Sequence, residues 1–321
     1  MGSRWDVPAD ATDAPFPDGA ALRGDGTVWV LVEEQAVHRL GAALAIAVRA
    51  GAYAVHVIVA DQTDSAVLAR RASLFDLAVS VWTLDGTDLV PAVAAPPADD
   101  SAPSPEAELY RPLLREAGLD PVVEGGALLG ELRGLEVARV VDDEDGGSRV
   151  ETGVGRFDRE AGAMMRAGMS ESDSLDQVVD IVGPLRAAGA ARHPMNQLVR
   201  ERWLRSVLVA DPALVGATEL HPVGSAVPRA NLTEAGVASA VGVDAAGVPV
   251  VVTCSVGVDL DAVPSAADDR LAHAPDARLL LVVPAADAAA ITGELLDRLA
   301  IPGELVAVDD DWATGSSGGQ G

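Results

Sequence analysis

The sequence predicts an α/β protein of two related lobes, each a mixed or parallel sheet flanked by helices, and three observations predict it. Strand-like apolar runs alternate with helical spacing through 27–84 and again through 250–308, as right-handed crossovers in a mainly parallel sheet require. The stretch PAVAAPPADDSAPSP (91–105) is proline-rich and acidic, the composition of a linker. Third, Gly134–Gly155 overlies Gly236–Gly257 without a gap. Gly134, Ala138, Val141, Asp142, Val150, Val154 and Gly155 coincide with Gly236, Ala240, Val243, Asp244, Val252, Val256 and Gly257, which points to duplicated modules.

Element by element, 27–32 is an apolar strand, and 37–50 has helical spacing through Leu40, Ala43, Leu44 and Val48. A second strand at 55–59, a helix at 65–74 and a third strand at 79–84 follow. Beyond the linker, 108–117 is an amphipathic helix with Leu109, Leu113 and Leu114 on one face; strands are expected within 122–141 and at 149–154. DDEDGG (142–147) reads as a solvated hairpin turn. After the polar break MSESDSLD a helical stretch runs to about 188, and Pro194 opens another helix. The last third repeats the opening pattern: strand 250–256, helix 263–273, strand 279–283, helix 286–299, strand 304–308. The resulting segments are a disordered 1–21, the first-lobe segment 22–90, the linker 91–105, the first repeat unit 106–168, a connection 169–191, the second lobe 192–312 and a disordered tail 313–321.

Composition narrows the chemistry. A net charge of −26 repels phosphate backbones, which favours a protein partner or self-association over nucleic acid. All 23 basic residues are arginine. With no lysine there is no Schiff-base or phosphate-loop lysine, and arginine stays protonated and cannot act as a base. A GC-rich coding sequence accounts for that bias without a selected function. The single cysteine, Cys254, alternates with Thr253 and Ser255 and shares a face with Val250, Val252 and Val256, so it reads as core. No secretory signal is read in the first twenty residues, and GAALAIAVRAGAYAVHVIVA is broken by Arg49, Gly51 and His56. A cytoplasmic protein with no membrane span and no tightly bound cofactor is expected.

The repeated unit, a helix, a strand ending in aspartate, a turn and a strand with informative alternate positions, resembles the core of the PD-(D/E)XK (restriction-endonuclease-like) superfamily. The likeness is carried by about 195–309 and implies a restriction-endonuclease-like core in the second lobe. In that family the aspartate and the acid of the triplet hold a divalent cation beside a lysine, since residues two apart on a strand share a face. Asp142 matches the aspartate, and Glu151, Thr152 and Gly153 the triplet; in the second unit Asp244 is followed by Thr253, Cys254 and Ser255. Asp25 with Glu33, Glu34 and Gln35 is a third, weaker match. Glycine or serine stands where lysine belongs.

The resemblance therefore implies a non-catalytic, degenerate binding protein. The alternatives are a phosphodiester hydrolase with Mg or Mn held by Asp142 and Glu151, or a structural dimerisation adaptor. Arg192, Arg200, Arg202 and Arg205 form the one locally basic segment. They are candidates for a partner or phosphate contact, with salt bridging to the chain's own acids as the plain alternative. Asp259 and Asp261 are expected to cap the next helix, and His221 to lie in a loop.

Overall fold

The computed structural model describes residues 7–86, 88–97, 102–143, 145–165, 168–191, 193–229 and 231–314. The chain is a mixed α/β protein with three open sheets flanked by helices. The first begins with β1 (Thr12–Ala14), β2 (Gly19–Gly24) and β3 (Thr27–Val32), an antiparallel meander. Residues 12–14 and 19–21, expected to be disordered, are thus paired strand. Helix α1 (Leu40–Ala50) then buries Leu40, Ala43, Leu44 and Ala47 at helical spacing and ends at Gly51, whose φ of 62° closes the last turn. The sheet continues through β4 (Ala54–Val59), α2 (Gln62–Ala72), β5 (Ala78–Asp85) and β6 (Asp88–Pro91). β3, β4 and β5 are parallel, and β6 turns back against β5.

The middle of the chain forms helices α3 (Pro105–Glu108) and α4 (Arg111–Glu116), then β7 (Asp120–Glu124), β8 (Ala127–Leu132), β9 (Leu135–Asp142) and β10 (Ser148–Thr152). These four strands are an antiparallel meander, followed by α5 (Gly155–Met165) and α6 (Glu171–Val182). The 106–168 unit was expected to hold a helix and strands, with a hairpin turn at 142–147, and does so. Its sheet is antiparallel because two-residue turns such as Arg133–Gly134, both at positive φ, return the chain on itself. Leu109, expected on an apolar face, is exposed.

Helix α7 (Arg200–Ala210) leads into the third sheet: β11 (Ala217–Val223), β12 (Ala238–Asp244), β13 (Pro249–Cys254), α8 (Ala262–His273), β14 (Arg278–Pro284), α9 (Ala290–Leu296) and β15 (Gly303–Val308). The first three strands are antiparallel, the last three parallel. α9 is shorter than the expected 286–299, because Ala285–Asp287 forms a separate 3₁₀ turn.

The aligned hairpins β9–β10 and β12–β13 both exist, with a register that differs by two residues: Ala138 pairs with Thr152, whereas Ala240 pairs with Val252. A shift of two keeps every side chain on its face. The larger correspondence lies elsewhere. Apart from β6, which only the first has, the first and third sheets share one connectivity, an antiparallel three-stranded meander whose last strand continues through helix, strand, helix, strand. They face each other across their helices, α1 on α9 and α2 on α8. Leu74–Asp76 meets Arg298–Ala300 through Asp76 N–H to Arg298 O (2.8 Å) and Ala300 N–H to Leu74 O (2.8 Å), with Phe75 opposite Leu299. This reciprocal pair joins equivalent loops, as an internal two-fold would. One core fills the space between the two sheets; a second lies under β7–β10; a third lies between α7 and the other face of the third sheet.

Candidate functional site

At the carboxyl ends of parallel strands the chain must leave the sheet, and loops from separate crossovers converge there. The turn after β3 passes through Gln35, a non-glycine at φ 51°, into a 3₁₀ turn Ala36–His38 that presents His38 and Arg39. Beyond β4, Asp61 caps α2 by accepting from the N–H groups of Thr63 (2.7 Å) and Asp64 (3.0 Å), which sets Asp64 in the first turn. From the loop before β12, Asn231 Oδ1 accepts from the N–H of Thr233 (2.9 Å) and Glu234 (3.0 Å) and from Thr233 Oγ1 (2.7 Å), an Asx turn. That turn brings the Glu234 carboxylate to within 2.9 Å of His38 Nε2.

These loops enclose a cleft of about 680 Å³ lined by His38, Arg39, Asp64, Asn231, Glu234 and Asp259 among others. Burial, then the nearby Asp61 carboxylate, pushes Asp64 above the usual carboxylate range, with His38 opposing. Arg39 pairs with Asp18. Behind the cleft, Asp261 is buried and accepts from Gly41 N–H at 2.9 Å. Burial and Asp259 raise it to about 7, against the pull of that N–H and of Arg71. Asp261 does stand at the N-cap position of α8, as expected, but its side chain makes no cap bond there and reaches α1 of the facing unit. Among the described residues no group of three or more His, Cys, Asp or Glu is arranged to hold a metal ion.

The structure does not bring Asp142 and Glu151 together. Asp142 lies opposite Ser148 and accepts from its hydroxyl (2.6 Å) and from Ser104 (2.8 Å), which hold its carboxyl below the usual range. Glu151 is three residues further along β10, roughly 10 Å away, and three steps place it on the opposite face. It pairs there with Arg149 at 2.8 Å. In the other hairpin Asp244 accepts from Ala246 and Val248 N–H (2.9 Å each) and from Arg278 (2.9 Å). Thr253 lies five ladder positions away, opposite Ser239, on the order of 16 Å. Neither frame presents two ligands to one cation.

The basic segment is also used internally. Arg202 pairs with Glu124 (2.7 Å) and Glu131 (3.2 Å), and Arg205 with Glu131 and Val223 O (3.0 Å). Both arginines are buried, so neither can meet a partner or a phosphate. Burial alone would raise Glu131, but the two guanidiniums outweigh it and hold its carboxyl below the usual range. Arg200 is half-buried with its guanidinium 5.6 Å from the Trp312 ring centre; Arg192 lies outside the described residues. His221 is exposed on β11, 4.0 Å from Glu219, and not in a loop. Cys254 is buried with Val250 and Val252 against α7, and burial pushes its thiol well above the ordinary value.

His38, Asp64 and Glu234 carry no joint mark in the sequence, since His38 and Glu234 are 196 positions apart. The only local signal was NLTE (231–234), an Asx-turn spelling. Compared with models of protein families, with curated proteins and with solved structures, the chain finds no match in any of the three.

Proposed function

We propose that the chain is a non-catalytic binding protein whose carboxyl-edge cleft takes a basic segment of a protein partner. The observation that carries this reading is the charge state of the cleft wall. Asp64, Glu234 and Asp259 line it beside one arginine and one histidine, and both of those are already engaged, Arg39 with Asp18 and His38 with Glu234. A cationic side chain entering the cleft supplies the missing charge-assisted hydrogen bonds. The wall offers recognition without an activated nucleophile, because Thr233 Oγ1 donates to Asn231 and not to His38. A single buried thiol suits a reducing compartment such as the cytoplasm.

Kinship with the PD-(D/E)XK superfamily is part of the proposal. The order α7, β11, β12, β13, α8, β14 supports it. The place of the family's acid is taken by Thr253, which is buried and lies 2.8 Å from Ser239 Oγ, itself a donor to Asp269 at 2.6 Å. A sealed hydroxyl there fits a binding protein that has lost hydrolysis.

Fluorescence anisotropy with a labelled arginine-rich nonapeptide and a glutamate-rich counterpart tests the reading. The basic peptide is expected to bind, and D64N/E234Q to weaken it at least tenfold more than D145N/D276N, which removes the same charge at exposed sites away from the cleft. Equal losses from the two pairs, or equal binding of the acidic peptide, overturn it.

A further inference from the structure

We propose that the free edge of β15 takes up one extended segment of a protein partner as an added antiparallel strand. Three sheets have six edges, and five of them are closed or blunted. β1 is only three residues long, β6 begins at Asp88 and ends at Pro91, and β10 has its Val150 N–H capped by the Glu171 carboxylate at 3.1 Å. β7 and β11 lie against each other. β15 is the exception: its GELVAV run carries four apolar residues in succession, Leu305–Val308, and no proline. It pairs with β14 on one side, and among the described residues no backbone group bonds to it on the other. An edge of this kind is a template for another strand.

The first sheet shows what fits there. Val57 of β4 pairs with Val81 of β5, and Leu281, at the matching inner-face position of β14, pairs with Leu305 of β15. Trp82–Asp85 therefore correspond to Val306–Asp309. In the first sheet those four residues pair antiparallel with Asp88–Pro91 of β6; in the third sheet the equivalent place is open. A second copy of the chain does not fit it. α9 packs on β15 and on α1, and α1 packs on β3, so β2 and β1 carry the first sheet past the β15 edge. A copy joined strand to strand brings its own first sheet to the same level, which leaves room for a single strand only.

The surroundings of the edge set the chemistry of the segment. Successive side chains of a strand point to opposite faces. On the side of α7, those beside Val306 and Val308 extend the third core, next to a cleft of about 640 Å³ lined by Val308, Val207 and Leu214, so the segment is apolar at alternate positions. Asp309, Asp310 and Asp311 follow β15 directly. Antiparallel pairing sets the first residues of the segment beside them, where a basic side chain complements the charge. Main-chain hydrogen bonds then supply the affinity, and the alternate side chains the specificity.

Fluorescence anisotropy of the full-length protein with the labelled peptide RRVTVTVT tests the proposal. The peptide is expected to bind, and EEVTVTVT to bind at least tenfold more weakly. N-methylation of its third and fifth residues, or of its fourth and sixth, removes alternate amide donors. One set should cost at least tenfold and the other less than twofold, since only every second N–H of an added strand meets its neighbour. Disulfide trapping locates the contact: an activated cysteine peptide, RRVTCTVT, should capture A307C at least tenfold faster than D13C on the β1 edge, both positions being exposed and Cys254 buried. Binding should be unchanged in D64N/E234Q, so this reading and that of the carboxyl-edge cleft can fail separately. No binding up to millimolar peptide, equal binding of EEVTVTVT, equal effects of the two N-methylated sets, or equal trapping at the two cysteines overturns the proposal. So does a dimer in sedimentation velocity that the peptide dissociates, which assigns the edge to a second copy.

Discussion

Asp268→Asn is the most informative single change, because Asp268 is where the two facing units are tied by charge. Its carboxylate, fully buried on α8, accepts from Arg70 Nε (2.7 Å), Arg70 Nη2 (2.8 Å) and Arg71 Nε (3.0 Å) of α2. Both arginines are themselves buried. The amide keeps the shape but removes the charge and turns one acceptor into a donor aimed at donors, so two buried guanidiniums lose their counter-ion. Breaking a buried pair in this way costs about 3–5 kcal/mol. For 321 residues, an unfolding entropy of roughly 2.1 cal/mol/K per residue gives about 0.7 kcal/mol/K, so 4 kcal/mol lowers Tm by about 6 °C. Calorimetry with a parallel urea titration measures both quantities. R70M/R71M/D268L, which removes all three charges, should recover part of the loss, since an apolar replacement of a whole ion cluster is often neutral. A change in D268N below about 1 kcal/mol, or a triple variant less stable than D268N, would refute the assignment of this cluster as the tie between α2 and α8.

Other consequences are as direct. Asp261 has an ordinary pKa of 3.8 when unfolded and about 7 when folded, so the native state holds the proton more tightly. Its contribution is complete below about pH 4 and is lost as pH rises to 7, by up to about 4 kcal/mol; D261N, which still accepts from Gly41, should flatten the curve and be the more stable form at pH 8. Denaturant titrations at pH 5 and 8 decide this, and parallel curves for the two proteins count against it. Gly41→Ala places a methyl 2.2 Å from Leu260 O, where α1 meets the facing loop, and should cost about 1–3 kcal/mol by overpacking, read as a lowered urea midpoint. Cys254, buried with its thiol pushed up, should react with a thiol reagent at pH 8 only at the rate of unfolding; rapid labelling of the native protein would show that the strand is accessible.

By itself the sequence determined the α/β alternation, most strand positions and the interior place of Cys254, because period-two and helical spacing of apolar residues are local properties read over a few residues. It also showed the hairpins at Gly134–Gly155 and Gly236–Gly257, whose valines and glycines match. What only the tertiary structure decided was which residues meet. The correspondence of the first and third sheets is a matter of connectivity and leaves little identity behind: Val55, Val57 and Val59 of β4 match Leu279, Leu281 and Val283 of β14 only as apolar residues on the inner face. Whether Arg202 faces solvent or Glu131 depends on how α7 packs against β8, and whether Asp142 and Glu151 share a face depends on the odd separation, three positions, between Ser148 and Glu151 once the register is set. His38 and Glu234 are brought together by two loops at one sheet edge. Such pairings depend on packing between elements far apart in the chain, and no local pattern encodes them.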